Sequence, residues 1–351
     1  MSLLSARVLA LALIPALALP LVAGKADGKL DLWWCDSEGG GSTLLVTPEG
    51  ESILIDSGNP GGRDSARILQ VLTQGAGLKQ LDHLIVTHLH IDHFGGAAEI
   101  AAQVPIKNLW DNGLTDADPD GNRNSTWPLT SKPYRTMTVG QRHRVEPGAV
   151  IPLKSGRTPL ALRCILTRQQ PAEGLYPTRK AVGSAPVLRA PDTSDNANSS
   201  AWVLEFGNFR FFDAGDLTWN VETRLVWPEI RVPEVDLLQV THHGLDVSNH
   251  PRLLAALNPT VSVMNNGPTK GTAGEVLGTL RGLPRLEAQY QLHRNRRPDG
   301  ATNNIPDAFI ANTQPGTAHP IHCAVAPDGA TYSITLPAGP VTRTYTTARR
   351  R

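Results

Sequence analysis

Short apolar runs broken by Gly, Pro, Asn and Asp fill most of the chain, and their spacing predicts strands alternating with helices. Residues 30–36 (LDLWWCD), 43–47 (TLLVT) and 52–56 (SILID) read as three strands, the last two joined through Pro48-Glu49-Gly50. After the loop 57–62, apolar residues recur at helical spacing over 63–74, at Ala66, Ile68, Leu69 and Leu72. A short apolar strand over 82–87 ends in a polar cluster, and a helix follows over 97–104. Further on, 201–206 and 209–212 form a hairpin through Gly207-Asn208. The strand 235–240 ends at Thr241-His242-His243-Gly244; then come a helix over 251–256, a strand over 261–264 and a helix over 274–280. Late strands fall at 288–292, 308–311 and 332–335. Two long polar stretches, 111–133 and 177–200, are too polar for a core and read as surface or substrate-facing loops. Two blocks each run strand, strand, helix, strand and then polar, ligand-type residues. That order predicts two sheets packed together with helices outside, rather than two independent domains.

The N-terminus departs from this pattern. After Arg7, residues 8–24 (VLALALIPALALPLVAG) carry no charge, but a spanning helix needs about 20 residues and Pro15 and Pro20 interrupt this run. A short positive region, an apolar core and small residues near Ala23, Gly24 and Ala26 read as a secretory signal peptide over 1–26. The expectation is a secreted or periplasmic protein with no stable membrane insertion after cleavage. The whole chain has 351 residues, 33 Lys+Arg against 32 Asp+Glu, and a net charge of +1, which gives no bulk attraction to nucleic acid or anionic membranes. Three cysteines exclude a disulfide-rich scaffold and allow at most one internal disulfide, with no pair singled out.

The densest chemistry is Thr87-His88-Leu89-His90-Ile91-Asp92-His93-Phe94-Gly95-Gly96, directly after an apolar strand. Three imidazoles and a carboxylate within six residues suit Zn, Mn or Fe. His88 and His90, two apart, can share one side of an extended turn, leaving Asp92 and His93 for a second centre. A chance histidine-rich surface turn is a poor account when the chain holds only 11 His.

The block HLHIDHFGG resembles the H-x-H-x-D-H signature of the metallo-β-lactamase superfamily. Ile55-Asp56-Ser57-Gly58, Ala214-Gly215-Asp216 and His242-His243 follow in the order that superfamily implies. The stretch DNANSSAWVLEFGNFRFFDAGDL, the Thr-His-His-Gly turn and the segments MNNG and QLHRN are similar to the hydrolase domain of ComEC-type competence proteins and their secreted stand-alone relatives. The resemblance implies an α/β fold, a four-layer αββα metallo-β-lactamase sandwich of two packed mixed β-sheets flanked by helices, spanning 27–351 as one hydrolase domain. It implies two divalent metal ions, Zn or Mn. His88 and His90 would bind the first and Asp92, His93 and a late histidine the second, with Asp216 bridging. Strand alternation favours His242 as the late ligand, with His243 as a proton donor to the leaving group. Asp92 and His243 are thus the expected catalytic residues. Asp56 is expected to fix the histidine geometry by hydrogen bonding. Asp213 competes with Asp216 for the bridging role. Asn196, Asn198 and Asn265 are candidates for substrate contact, against the simpler account of ordinary Asx turns.

One departure stands out. The superfamily pattern places a third histidine about 20 residues before the bridging aspartate, and Asn196 occupies that position here. The first site is expected to be weak, with Asp195 or Asn196 as an oxygen substitute. The leading expectation is a secreted metal-dependent hydrolase that cleaves phosphodiesters with a metal-activated water. Its partner would be a small-molecule or polymer phosphoester, nucleic acid among the candidates. A lactonase or β-lactamase-like ester or amide hydrolase is one alternative, and a non-catalytic metal-binding envelope protein is another.

Overall fold

The computed structural model describes residue 23 and residues 27–154, 156–336 and 341–348, so the expected export segment over 1–26 lies outside the described residues save for Ala23. A nine-stranded sheet runs in the order Val341–Thr346, Thr331–Leu336, Ile321–Val325, Leu30–Trp34, Thr43–Val46, Ser52–Ile55, Leu81–Ile85, Ile106–Asp111, Gln141–Arg144. An eight-stranded sheet runs Ile310–Asn312, Ala288–His293, Val261–Met264, Leu237–Gln239, Phe209–Asp213, Ala201–Phe206, Leu160–Thr167, Gln170–Pro171. Both are mixed: an antiparallel part in each adjoins a parallel part.

Alternation along the strands explains why two sheets stack. Leu32, Trp34, Ile53 and Ile55 on one sheet, with Trp202, Leu204, Phe211 and Leu237 on the other, share one buried cluster between them. The intervening residues point outward. Leu44 and Leu54 bury against Ile68, Leu72 and Ile100 of the helices Arg63–Gln70 and Ala97–Ala101 and the turn between them. On the far side Val203, Phe212 and Leu238 bury against Leu253, Leu254, Leu277 and Leu280 of Pro251–Leu257 and Gly274–Arg281. The result is helix, sheet, sheet, helix, as the two-block pattern predicts.

Two features differ from the sequence reading. The helix read over 63–74 is α-helical only to Gln70 and widens to a π-helical turn over Val71–Gly75, closed by Ala76 N–H on the Val71 carbonyl at 2.8 Å. The polar stretch 111–133 is not all surface: it runs into the short helices Trp127–Thr130 and Lys132–Thr136. Trp127 and Tyr134 are buried against Phe94, with ring centroids 5.8 and 5.3 Å away, and the Tyr134 hydroxyl donates to Asp111 at 2.8 Å. Apolar aromatics hidden in a polar sequence anchor this segment beside the histidine turn. All three cysteines are buried and free, and burial pushes the Cys35 and Cys164 thiols up to about 12.

Candidate metal centre

Every candidate ligand follows the carboxyl end of a parallel strand. Asp56 follows Ser52–Ile55, the histidine turn follows Leu81–Ile85, Asp216 follows Phe209–Asp213, and His242 and His243 follow Leu237–Gln239. Two sheets packed face to face bring these ends to one edge, where side chains far apart in sequence meet.

Four of them converge tightly. Asp92, His93, Asp216 and His243 each place one donor atom within 4.8 Å of all the others. The Nε2 atoms of His93 and His243 both lie 3.3 Å from Asp216 Oδ2, and 3.7 and 3.8 Å from Asp92 Oδ2. His242 Nε2 also lies 3.3 Å from Asp216 Oδ2, outside the four-residue group. Asp216 therefore sits at the middle of three imidazoles.

The free atoms point to a cation. The Nε2 atoms of His88, His93 and His243 are buried without a hydrogen-bond partner. Their Nδ1 atoms are engaged, by Thr87 Oγ1 at 3.1 Å, Asp56 Oδ2 at 2.7 Å and the Asn265 carbonyl at 3.3 Å. A buried nitrogen left unpaired costs free energy unless something fills the gap. Imidazole and carboxylate donors aimed at one point suit a borderline divalent ion. The residues present fit such a metal.

Electrostatics agrees. Burial pushes the His88 imidazole well below its usual range, so it stays neutral and able to ligate. Burial also opposes charge on His93, but the Asp216, Asp56 and Asp92 carboxylates outweigh it and push that imidazole well above its usual range, the same pull that a cation at this point would meet. Asp216 is buried, yet His242, His243 and His93 keep it well below the ordinary carboxylate range. Asp92 is held ionised, against burial, by His93 and by Lys270, whose Nζ lies 2.5 Å from its Oδ2. Three carboxylates crowd one buried point, with a lysine supplying positive charge there.

The remaining residues separate into several groups. The sequence reading favoured His242 by strand alternation, but the strand ends at Gln239 and both His242 and His243 adopt left-handed backbone, with φ of 53° and 55°. The turn carries His243 into the four-residue group, while the His242 Nδ1 meets Ser248 Oγ at 3.0 Å. Asp213, pushed up to about 7 by burial, accepts the Gly215 N–H at 3.0 Å and so shapes the turn before Asp216. Asp195 takes the Leu89 N–H on Oδ2 at 2.6 Å and the Asn198 amide on Oδ1 at 2.9 Å, bracing the histidine turn. Asn196 lines a cleft beside His242, with its Oδ1 buried and unpartnered. The Asn198 carbonyl accepts from Asn112 at 2.8 Å. Asn265 presents its carbonyl to His243. The sequence reading missed Lys270, Asp120 and Gly41. A Cβ on Gly41 would come within 2.7 Å of His93 Nδ1 and 2.8 Å of Asp56 Oδ2, so only glycine lets the loop close over that pair. Its signal, the run Gly39-Gly40-Gly41, was visible but had no partner to give it meaning.

Asp56 ties the arrangement together. Its Oδ1 accepts the Thr87 N–H at 2.8 Å, and its Oδ2 accepts from the Thr87 hydroxyl at 2.8 Å and meets His93 Nδ1 at 2.7 Å. Asp56→Ala is expected to leave two buried groups unpaired, the Thr87 N–H and His93 Nδ1, at about 1–3 kcal/mol for each, while the Thr87 hydroxyl keeps its contact with His88. It should also weaken metal binding about 10–100-fold by freeing the His93 ring. Urea unfolding and chelator competition read the two effects separately.

Comparison with known proteins gives this edge a lineage. Residues 36–165 match the family model described as the metallo-β-lactamase superfamily. A UPF0173 metal-dependent hydrolase of Cupriavidus metallidurans is 30% identical over 136 residues, 34% of this chain and 44% of that protein. ComE operon protein 3 of Bacillus subtilis is 25% identical over 259 residues, covering 69% of this chain and 29% of that protein. A ribonuclease Z of Bradyrhizobium diazoefficiens is 35% identical over 68 residues, 19% of this chain and 21% of that protein. The chain thus spans less than half the length of these curated relatives. The matched segment holds the strand ends that carry Asp56 and the whole turn from His88 to His93. Over residues 36–165, which hold the histidine turn, the chain is similar to the metallo-β-lactamase superfamily.

Proposed function

We propose that this protein is an exported metal-dependent hydrolase that cleaves phosphodiesters with water. The observation that carries the hydrolase reading is the set of three buried, unpartnered imidazole nitrogens beside two ionised carboxylates. Two divalent ions, Zn or Mn, complete the proposal: one held by Asp92, His93, Asp216 and His243, the other by His88 and His90 with Asp216 shared. Bound there, the ions supply Lewis acidity and bring the pKa of water toward neutrality. The chain's own residues do the rest. Asp216 keeps the two sites in register, Asp56 and Thr87 prevent the rings of His93 and His88 from turning, and His242, pushed down to about 4 by burial and so neutral, lines the cleft beside them.

The phosphodiester reading is supported by cations beside this centre. Lys270 stands against Asp92. A cleft of about 430 Å³ next to His242 is lined by Arg189, Asn196, Thr218, Trp219 and His242, with the Arg189 guanidinium 3.6 Å above the Trp219 ring. An anionic ester would meet positive charge there. The similarity to a ribonuclease Z, by name an enzyme of RNA, points to the same bond class. Among the described residues no helix is long and apolar enough to cross a membrane.

The test is hydrolysis of bis(p-nitrophenyl) phosphate by the protein lacking residues 1–26, after stripping and reloading with Zn²⁺ or Mn²⁺, beside a chromogenic lactone and a β-lactam. Metal-dependent turnover of the phosphodiester alone supports the proposal. Turnover confined to the lactone or β-lactam would transfer the site to ester or amide chemistry. Export is tested by N-terminal sequencing of protein recovered outside the cytoplasm, where a start near residue 27 is expected.

A further inference from the structure

The first site has two histidines where the superfamily pattern expects three, and the structure shows what supports one of them. His90 Nε2 lies 2.9 and 3.1 Å from the two carboxylate oxygens of Asp120. Asp120 belongs to the polar segment that follows Asp111, and its own position is fixed. The Asp195 N–H donates to its Oδ1 at 2.8 Å, and its N–H donates to Asp118 at 2.8 Å. The same Asp195 takes the Leu89 N–H with its side chain, so one residue grips both the histidine turn and Asp120. Downstream, Trp127 and Tyr134 anchor the segment on Phe94.

The other site imidazoles supply the rule for reading this contact. His88, His93, His242 and His243 each have Nδ1 tied to an oxygen; the Nε2 atoms of the last three lie 3.3 Å from Asp216 Oδ2, and that of His88 is buried and unpartnered. His90 is the inverted case: Nε2 is tied, which leaves Nδ1 as its ligating atom. Its ring stands nearly perpendicular to that of His88, at 73°, with centroids 4.7 Å apart. Asp120 does not belong to the group of converging donors.

We propose that Asp120 is a positioning residue for the first metal site. It orients His90 through Nε2 and keeps Nδ1 facing the site, and this support offsets the absent third histidine. The inference rests on the metal-centre reading above. It also makes first-site affinity depend on the placement of the substrate-side segment that carries Asp120.

The experiment is competition between stripped protein and a chromogenic chelator for Zn²⁺, which by the general order of divalent affinities also reports on a site that uses Mn²⁺. Wild type, Asp120→Ala, Asp120→Asn and Asp116→Ala are compared, the last altering an exposed carboxylate of the same segment. Two binding steps are expected in wild type. Asp120→Ala should weaken the weaker step about 10–100-fold and leave the tighter one unchanged. Asp120→Asn, which keeps an acceptor, should recover part of the loss, and Asp116→Ala should change neither step. An Asp120→Ala profile within twofold of wild type would reduce the contact to a surface ion pair and overturn the inference. A single step in wild type would overturn it as well, while leaving the tight site standing. No binding by wild type would instead remove the metal-centre reading itself.

Discussion

Asp216→Ala is expected to abolish the metal-induced rise in thermal stability and to lower phosphodiester turnover at least about a thousandfold. The figure follows from the several kcal/mol that metal-held charge stabilisation contributes, at about 1.4 kcal/mol per tenfold. Asp216 is singular because its Oδ2 lies 3.3 Å from three imidazoles at once, so its loss uncouples His93, His242 and His243 together. The stability readout separates this from simple damage. In stripped protein the three imidazoles hold buried Asp216 well below the ordinary carboxylate range, so at neutral pH it adds to the stability of the fold and its loss leaves them without their partner. The stripped variant is therefore expected to melt below stripped wild type, and the metal-induced rise is read as a difference within each protein. Wild type alone should gain stability as Zn²⁺ or Mn²⁺ is added, because a ligand that binds only the folded state stabilises it by mass action. A variant that still gains stability as metal is added would show that Asp216 is not needed to hold it.

The second large effect is expected from one added methyl group. Gly96 follows the histidine turn, and a Cβ there would lie 2.2 Å from the Ser57 carbonyl oxygen. Its backbone φ is ordinary, so the requirement is space. The obstacle is backbone and cannot swing aside. That backbone is also committed to the site: the Ser57 N–H and hydroxyl both donate to the His93 carbonyl, at 2.7 and 2.9 Å, and the Gly96 N–H donates to the Gly58 carbonyl at 3.1 Å. Gly96→Ala must push the helix Ala97–Ala101 away from the Ser57 loop, and His93 moves with it. A loss of about 3 kcal/mol is expected, at the upper end for overpacking, together with weaker metal binding. Urea midpoints at unchanged slope measure the first, and chelator competition the second. A change under about 1 kcal/mol would mean that the loop gives way more easily than its hydrogen bonds suggest.

Much of the frame was legible because the physics is local. The hairpin Ala201–Phe206 and Phe209–Asp213 announced itself by a Gly-Asn turn between apolar runs, and HLHIDHFGG by ligand density after a strand. Strands such as Leu160–Thr167 and Ile321–Val325 escaped because Arg163 and His322 break their apolar pattern. In the structure those side chains find partners, Glu205 at 2.7 Å and Asp31 at 2.8 Å, which no single-strand pattern reveals. The orientation of His242 against His243 was hidden for a different reason. Period-two alternation holds only while the chain stays extended, and here it has already entered a left-handed turn. Asp120 and Lys270 were illegible in principle. Each is an ordinary charged residue in a polar segment, and each acquires meaning only where the fold sets it against His90 or Asp92, 30 and 178 residues away.

The most direct test of the metal centre is anomalous scattering from crystals of the protein loaded with Zn²⁺, recorded on either side of the metal absorption edge. The account requires a strong peak among Asp92, His93, Asp216 and His243, with His93 and His243 ligating through Nε2. A weaker second peak is expected between His88 and His90, on the Nδ1 side of His90. Zn²⁺ bound only elsewhere, with the three Nε2 atoms still unpartnered, would contradict the account at its centre.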